Sequence, residues 1–477
     1  MTKTMAVRLP DTIHPTRYTL TLQPDLSTFT FEGREIVDIQ VLESTPNVVL
    51  NSVDIEIHSA TIILPDESIL EATEIHLSKD DETATLIFET ELPVGRAELE
   101  LEFTGDLNER LQGFYRSRYT DPSGKERYLA TTQFEATDAR RAFPCWDEPS
   151  LKAIFKLTLV IPTELVAVSN MPVESTSNIC VGNKKVEFEE TPVMSTYLLA
   201  FIIGDLNHVE KKSEDGTVVR VWATRGKEHQ GDFALDVSVR LLSYFNNYFG
   251  IPYPLEKMDH LAIPDFAAGA MENWGAITYR ETSLLVDPEN SSALTKQYVA
   301  AVVAHEMAHM WFGDLVTMAW WSDLWLNESF ASFIGDKAVD YLFPEWDMWT
   351  QFVSSDTNRG LSLDGLKNSH PIEQEVDDPA EIGQLFDAIS YSKGGSVLRM
   401  LEDFLGKDVF QEGLQKYISR HQYQNAKTTD LWDALEEVSG KPVARIMETW
   451  TSQTGYPVVA IETTRSKDNI IISASQT

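Results

Sequence analysis

Residues 299–330 read VAAVVAHEMAHMWFGDLVTMAWWSDLWLNESF. Inside this stretch His305-Glu306-Met307-Ala308-His309 fits the HExxH pattern, in an apolar run with helical features that starts near Ser291 or Ser292 and stops at Gly313. Four residues make slightly more than one helical turn, so both imidazoles project from one face and converge on a single cation. Glu306 leans to the side of that pair. In this arrangement two histidines hold Zn²⁺ and a carboxylate takes the proton of an attacking water.

Five-residue patterns recur by chance, and two histidines on an amphipathic helix can as readily be ordinary core or surface residues, so the context has to decide. The helix is nearly all apolar around its three polar residues, and burying His, Glu and His without a partner is expensive. A further acidic ligand stands at Glu328, at what reads as the start of the next helix, LWLNESFASFIGDKAVDYL. Three donors of these types complete a protein-side zinc set.

Around this centre the chain changes texture. Residues 1 to 207 read as an all-β domain: RYTLTLQPDL, REIVDIQVL, RAELELEFTGDL and KAIFKLTLVIP alternate apolar and polar residues between Pro, Gly, Asn and Asp. Residues 208 to 452 read as mostly helical with strands at their beginning, starting from TVVRVWAT and the helical FALDVSVRLLSYFNNYFG. Residues 453 to 477 read as two strands with a polar turn. Two strands alone make no stable domain, so they either pair with an earlier sheet or open something longer.

A chain of 477 residues with net charge −35 is repelled by nucleic acid and by anionic membranes, and the charge is read as a solvated acidic surface. Cys145 and Cys180 make no disulfide framework, no CxxC occurs, and neither a secretory signal nor a spanning apolar run is visible, which points to a soluble, cytoplasmic protein. No GxSxG elbow or P-loop offers another chemistry.

Three further segments carry ionisable groups. In FAAGAMENWGAITYRE, residues 266–281, Gly269 and Gly275 allow close backbone approach, and the alternation after Trp274 predicts a strand whose edge can pair with an extended peptide. Glu272, taken alone, reads as an exposed turn carboxylate. In TTQFEATDARRAFPCWDEPS, residues 131–150, chemistry alone favours a salt bridge from Glu135 to Arg140 or Arg141 over a ligand role. Tyr391, in AISYSKGGS, reads as packing at a helix start, and Trp311, Trp320, Trp321 and Trp325 as walls that dry the core beside the metal.

Taken together the motifs resemble the M1 family of zinc aminopeptidases, gluzincins with HExxH, eighteen intervening residues and then Glu. The interval between His309 and Glu328 matches, as do GAMEN at 269–273, QFEATDARRAFPCWDEP and FDAISYSKG. Within the family the chain is most similar to the puromycin-sensitive and related cytosolic aminopeptidases. The resemblance implies a multidomain α+β protein: an all-β, saddle-like N-terminal domain, then a thermolysin-like, mostly helical zinc-peptidase domain, and an incomplete β-sandwich.

It also implies roles. His305, His309 and Glu328 hold one Zn²⁺ per chain and Glu306 is the general base. Glu272 and Glu135 bind the free α-ammonium of a peptide substrate, reversing the two readings above. Tyr391 donates to the developing oxyanion. Gly269, Ala270, Met271 and Asn273 bind the peptide, while Gln133, Met271 and Phe386 line the pocket for an apolar or aromatic first side chain. Two other classes share such a centre. One is an epoxide hydrolase of the leukotriene A4 hydrolase type, against which the complete GAMEN and Glu135 argue; the other is an inactive peptide-binding scaffold, against which the intact ligand set argues. Relatives differ at two places: Gly335 stands where many carry an acid that orients a ligand histidine, with Asp336 next to it, and Asp314 stands where they often have Asn.

Overall fold

The structure, a computed structural model, describes residues 8–180, 182–467 and 469–476. The first seven residues of the expected N-terminal domain and Thr477 lie outside them, as does the side chain of Cys180. Cys145 is a buried free thiol.

The alternating runs of the first two hundred residues form strands. Ten join in one sheet, in the order Val173–Cys180, Asn183–Phe188, Ile154–Pro162, Ile13–Asp25, Thr30–Val41, Gly95–Asp106, Ile55–Ile63, Ile69–Ser78, Thr83–Leu92, Thr45–Asn51. The period-two pattern decides which face is dry: Tyr18, Leu20 and Leu22 point inward from one strand, Phe31, Val37 and Ile39 from the next. A smaller sheet of Val166–Ser169, Phe201–Gly204, Glu126–Gln133 and Gly113–Thr120 packs its apolar residues into the same core, and its third strand ends on Gln133.

A third sheet begins the helical half. Its order is Leu206–Lys212, Val218–Thr224, Lys257–Ile263, Ala276–Arg280, Ala270–Met271. The strand expected after Trp274 is therefore interior, bonded on both sides, and the free edge belongs to the two-residue strand Ala270–Met271. Helices follow at Asp232–Phe249, Ala293–His309, Trp325–Leu342, Gly394–Leu405, Lys407–His421, Thr428–Ser439 and Val443–Thr451. The first stops at Gly250 in the left-handed region, as its glycine predicts. The segment around Tyr391 is a π-helical turn, Ile389–Lys393, that runs into the helix after it.

The ligand helix Ala293–His309 is capped by Ser292, whose Oγ accepts from Thr295 N at 3.1 Å. It ends at His309, four residues before the expected stop at Gly313, because the chain turns over Met310–Phe312 before the glycine is reached. The Glu328 helix, Trp325–Leu342, lies against it at Gly335, where a Cβ would sit 3.0 Å from His305 N and 3.2 Å from the Ala304 carbonyl carbon. Trp311, Trp321 and Trp325 are fully buried around this pair, while Trp320 is partly buried beneath the Arg8 guanidinium.

The last two strands, Val459–Ser466 and Asn469–Gln476, pair with each other and with no other described strand. Val459, Ile461, Ile470, Ile471 and Ile472 are exposed on them. No helix among the described residues is long and apolar enough to cross a membrane.

Candidate active site

His305 and His309, one turn apart, bring their Nε2 atoms to 3.1 Å of each other. Glu328 Oε2 lies 3.2 Å from the first and 3.6 Å from the second. Three ligand atoms at about 2.1 Å from a tetrahedral centre stand roughly 3.4 Å apart, so these separations fit a zinc ion between them. Second contacts aim the rings. The Phe312 carbonyl accepts from His309 Nδ1 at 3.0 Å, which leaves His309 Nε2 as the lone-pair nitrogen.

His305 Nδ1 faces Ser332 Oγ at 3.4 Å. Asp336 does not take that place: among the described residues it makes no bond to His305, and burial, with Asp356 and Asp340 nearby, pushes its carboxyl up to about 8. Gly335 instead lets the two helices approach closely, so that a Cβ there would crowd the backbone of the ligand helix at His305 and Ala304.

Carboxylates dominate what surrounds the donors. Glu306 is buried beside His309, and Glu272 Oε1 is 3.8 Å from His309 Nδ1. Glu272 is only 3% exposed, so it is not the exposed turn carboxylate its loop suggests. The expected salt bridge of Glu135 is also absent: Arg140 pairs with Asp147 and Glu82, and Arg141 with Asp138, Asp54 and Glu82. Glu135 instead turns toward the metal donors, and one oxygen each of Glu135, Glu272 and Glu328 lie within 4.8 Å of one another.

Such a cluster is unstable by itself. Two like charges about 5 Å apart repel by roughly 3 kcal/mol at an effective dielectric near 20. Burial, then Glu272 and Glu328, push the Glu135 carboxyl well up; burial pushes Glu272 and Glu306 up as well, with His309 opposing. Glu328 goes the other way, because the His309 and His305 imidazoles outweigh its burial. Glu135 Oε1, Glu272 Oε1, Gln133 Oε1 and Asn273 Oδ1 are all buried without a hydrogen-bond partner, an accumulation of acceptors that calls for a cationic, donor-rich guest.

The loop carrying Glu272 is pinned from behind. Gly275 has φ of +77° and a Cβ there would be 2.5 Å from the Asn170 carbonyl, whereas Gly269 is open, with only Tyr298 Oη at 3.9 Å. Asn170 Nδ2 donates to the Trp274 carbonyl at 2.9 Å, and the buried Lys257 ammonium donates to Ser169 O and Gly275 O at 2.6 and 2.7 Å. Asn273 Nδ2 donates to Thr278 Oγ1 at 2.9 Å, and Met271 is buried. The loop thus exposes Gly269, half-buries Ala270 and sinks Met271, Glu272 and Asn273.

Tyr391 closes the opposite side, its ring 5.9 Å from that of His305 at 21°. Burial first, then Glu328, Glu135 and Glu272, push its hydroxyl up, so it is a proton donor throughout the neutral range. Ser329, next to Glu328, donates to Ser390 O at 2.5 Å and ties the tyrosine turn to the ligand helix pair. A cleft of about 470 Å³, lined by Glu135, Ala136, Thr137, Ile382, Gly383 and Phe386, opens beside the carboxylates. Sequence reading missed Ser332, Ser329, Asn170 and Lys257; they act through the fold and leave no local pattern.

Comparison with known proteins agrees with this geometry. Residues 14–198 match the peptidase M1 N-terminal domain and residues 233–450 the peptidase family M1 domain. The chain belongs to peptidase family M1. It is 53% identical over 458 residues to aminopeptidase M1 of Arabidopsis thaliana, which covers 95% of this chain and 52% of that protein. It is 47% identical over 468 residues to the alanine/arginine aminopeptidase of Saccharomyces cerevisiae, covering 96% and 53%, and 44% identical over 470 residues to the puromycin-sensitive aminopeptidase of Caenorhabditis elegans, covering 98% and 50%. The chain spans about half the length of these M1 relatives.

Proposed function

We propose that this chain carries the catalytic centre of a zinc-dependent aminopeptidase that removes single residues from the free N-terminus of peptides. The observation that carries the reading is the juxtaposition of a His305–His309–Glu328 donor set with Glu135 and Glu272, each of which holds one buried carboxylate oxygen without a hydrogen-bond partner. One centre takes a metal and the adjoining one takes an organic cation.

His305, His309 and Glu328 would hold a zinc ion, which would supply Lewis acidity toward a carbonyl and toward water. Glu306 takes the proton of the attacking water and passes it to the leaving amine. Glu135 and Glu272 accept from the substrate's α-ammonium, whose charge neutralises theirs. That placement lets only the first peptide bond reach the donors. The edge of Ala270–Met271, with Gly269 open beside it, pairs with the extended peptide while Asn273 holds its loop in register. Tyr391 donates to the oxyanion, a charge that exists only at and beyond the transition state, so its contribution falls on kcat. Gln133, Met271 and Phe386 receive the first side chain. The fold that delivers these groups is a saddle-like β domain on a thermolysin-like helical one, and the family's cytosolic members suggest a cytoplasmic setting.

The test is hydrolysis of matched aminoacyl amides with free and N-acetylated amino groups. Cleavage confined to the free-amine member, and lost on chelation, is the expected result. Equal cleavage of both, or full activity after exhaustive chelation, sinks the proposal.

A further inference from the structure

The turn that presents Tyr391 is held by a pair of groups outside the metal centre. Asp387 caps it: Oδ1 accepts from Ile389 N at 2.8 Å and Ser390 N at 3.3 Å, while its carbonyl accepts from Tyr391 N at 3.1 Å. The other oxygen, Oδ2, lies 3.1 Å from His370 Nε2, across seventeen residues of chain. His370 Nδ1 in turn lies 2.7 Å from the Pro371 carbonyl oxygen.

Both neighbours of that imidazole are acceptors only. A neutral histidine has one N–H and satisfies one of them; the imidazolium has two and satisfies both. We propose that His370 is a doubly donating imidazolium whose bond to Asp387 positions the Tyr391 turn, making it and Asp387 positioning residues for the oxyanion step. The inference rests on the reading of Tyr391 given above.

The surroundings agree in sign. The Asp387 bond is the foremost influence raising the His370 pKa, burial opposes it, and the Pro371 carbonyl adds to the rise; on Asp387, burial raises the carboxyl, but His370 and the Ile389 and Ser390 amides together lower it on balance. The other charged group facing His370 is Lys393, which opposes its protonation and is itself paired with Asp364 at 2.8 Å. A raised folded-state value means that the pairing is complete below the free-imidazole pKa and is lost as pH rises through the raised one. Loss of one N–H then releases either the Asp387 carboxylate or the Pro371 carbonyl. Turnover falls on the alkaline side while substrate binding, which depends on Glu135 and Glu272, does not.

Two measurements on the metal-loaded protein test this. In the first, His370→Ala is made alone and in a Tyr391→Phe background: about a tenfold loss of kcat with KM within about twofold is expected alone, and less than about a twofold further loss in the background, because an interaction that acts through the tyrosine vanishes with it. His370→Gln, which donates one uncharged bond, is expected to restore part of kcat and to flatten its alkaline limb. In the second, the His370 ring-proton resonance is followed with pH in the wild type and in Asp387→Asn; a titration above the free-imidazole value that drops in the variant is expected. Equal losses in both backgrounds, or a wild-type resonance titrating at or below the free value, overturn the proposal. Unchanged turnover in Tyr391→Phe alone would overturn the oxyanion assignment beneath it, while the resonance still reports the pairing.

Discussion

Glu306, on the ligand helix, and Glu272, in the loop after Ala270–Met271, have separate proposed tasks, and substitution separates them. Glu306→Gln keeps the shape but removes the base; kcat is expected to fall by about a thousandfold or more with zinc content unchanged by mass spectrometry. Glu272→Ala removes one acceptor of the ammonium, and an interaction of about 2–3 kcal/mol corresponds to a loss of roughly 30- to 150-fold in kcat/KM, borne mainly by KM. Normal turnover in the first variant, or a pure kcat defect in the second, would reverse the assignments. The ligand residues were legible because HExxH and its distant Glu are a spacing written directly in the chain. Glu135 and Glu272 were not: read locally they sit among arginines and glycines, and only the fold shows that the arginines are already taken by Asp147, Glu82, Asp138 and Asp54. Glu35 is a buried carboxylate of another kind. It lies in the core of the large sheet with neither oxygen hydrogen-bonded, and burial pushes it well up. A raised folded value gives stability that is whole below about pH 4.3 and lost as pH rises through it. Tm of the wild type relative to Glu35→Gln is therefore expected to decline as pH rises above the unfolded-state value of about 4.3; a constant difference would contradict this.

At the level of elements, the metal site depends on how closely two helices approach. Gly335 permits the contact between Ala293–His309 and Trp325–Leu342 that sets Glu328 opposite the two imidazoles. Gly335→Val must push the helices apart, with an overpacking cost of about 1–3 kcal/mol. The expected signature is a fall in Tm together with a zinc affinity lowered by about tenfold or more, since the ligands ride on the displaced elements; an unchanged affinity would mean that Glu328 is positioned otherwise. Helix and strand identities followed from local signals, an apolar run between a serine and a glycine for the ligand helix and a period of 2 for the sheets. Ends were less legible. The ligand helix finishes at His309 because the chain turns over Met310–Phe312, and the usable strand edge moved to Ala270–Met271 because Lys257–Ile263 covers the far side of Ala276–Arg280. The first outcome is set by local turn bonds and the second by a strand earlier in the chain.

Across the whole molecule the site is a joint product of two units. The β half contributes Gln133 and Glu135 from the end of one strand, and the helical half contributes the metal donors, Glu272 and Tyr391. Lys257 binds the halves where this matters, reaching Ser169 O on one side and Gly275 O on the other while paired with Asp259 at 2.7 Å. The final hairpin pairs with no other described strand and leaves its isoleucines exposed. Metal donors and carboxylates together form the proposed centre that counts from a free amine. Time-resolved mass spectrometry of a short peptide, about ten residues long, incubated with zinc-loaded protein tests it most directly. A ladder of products, each shorter by one residue from the N-terminus, is the predicted result; internal cleavage, or removal of residues from a peptide with a blocked terminus, would contradict it.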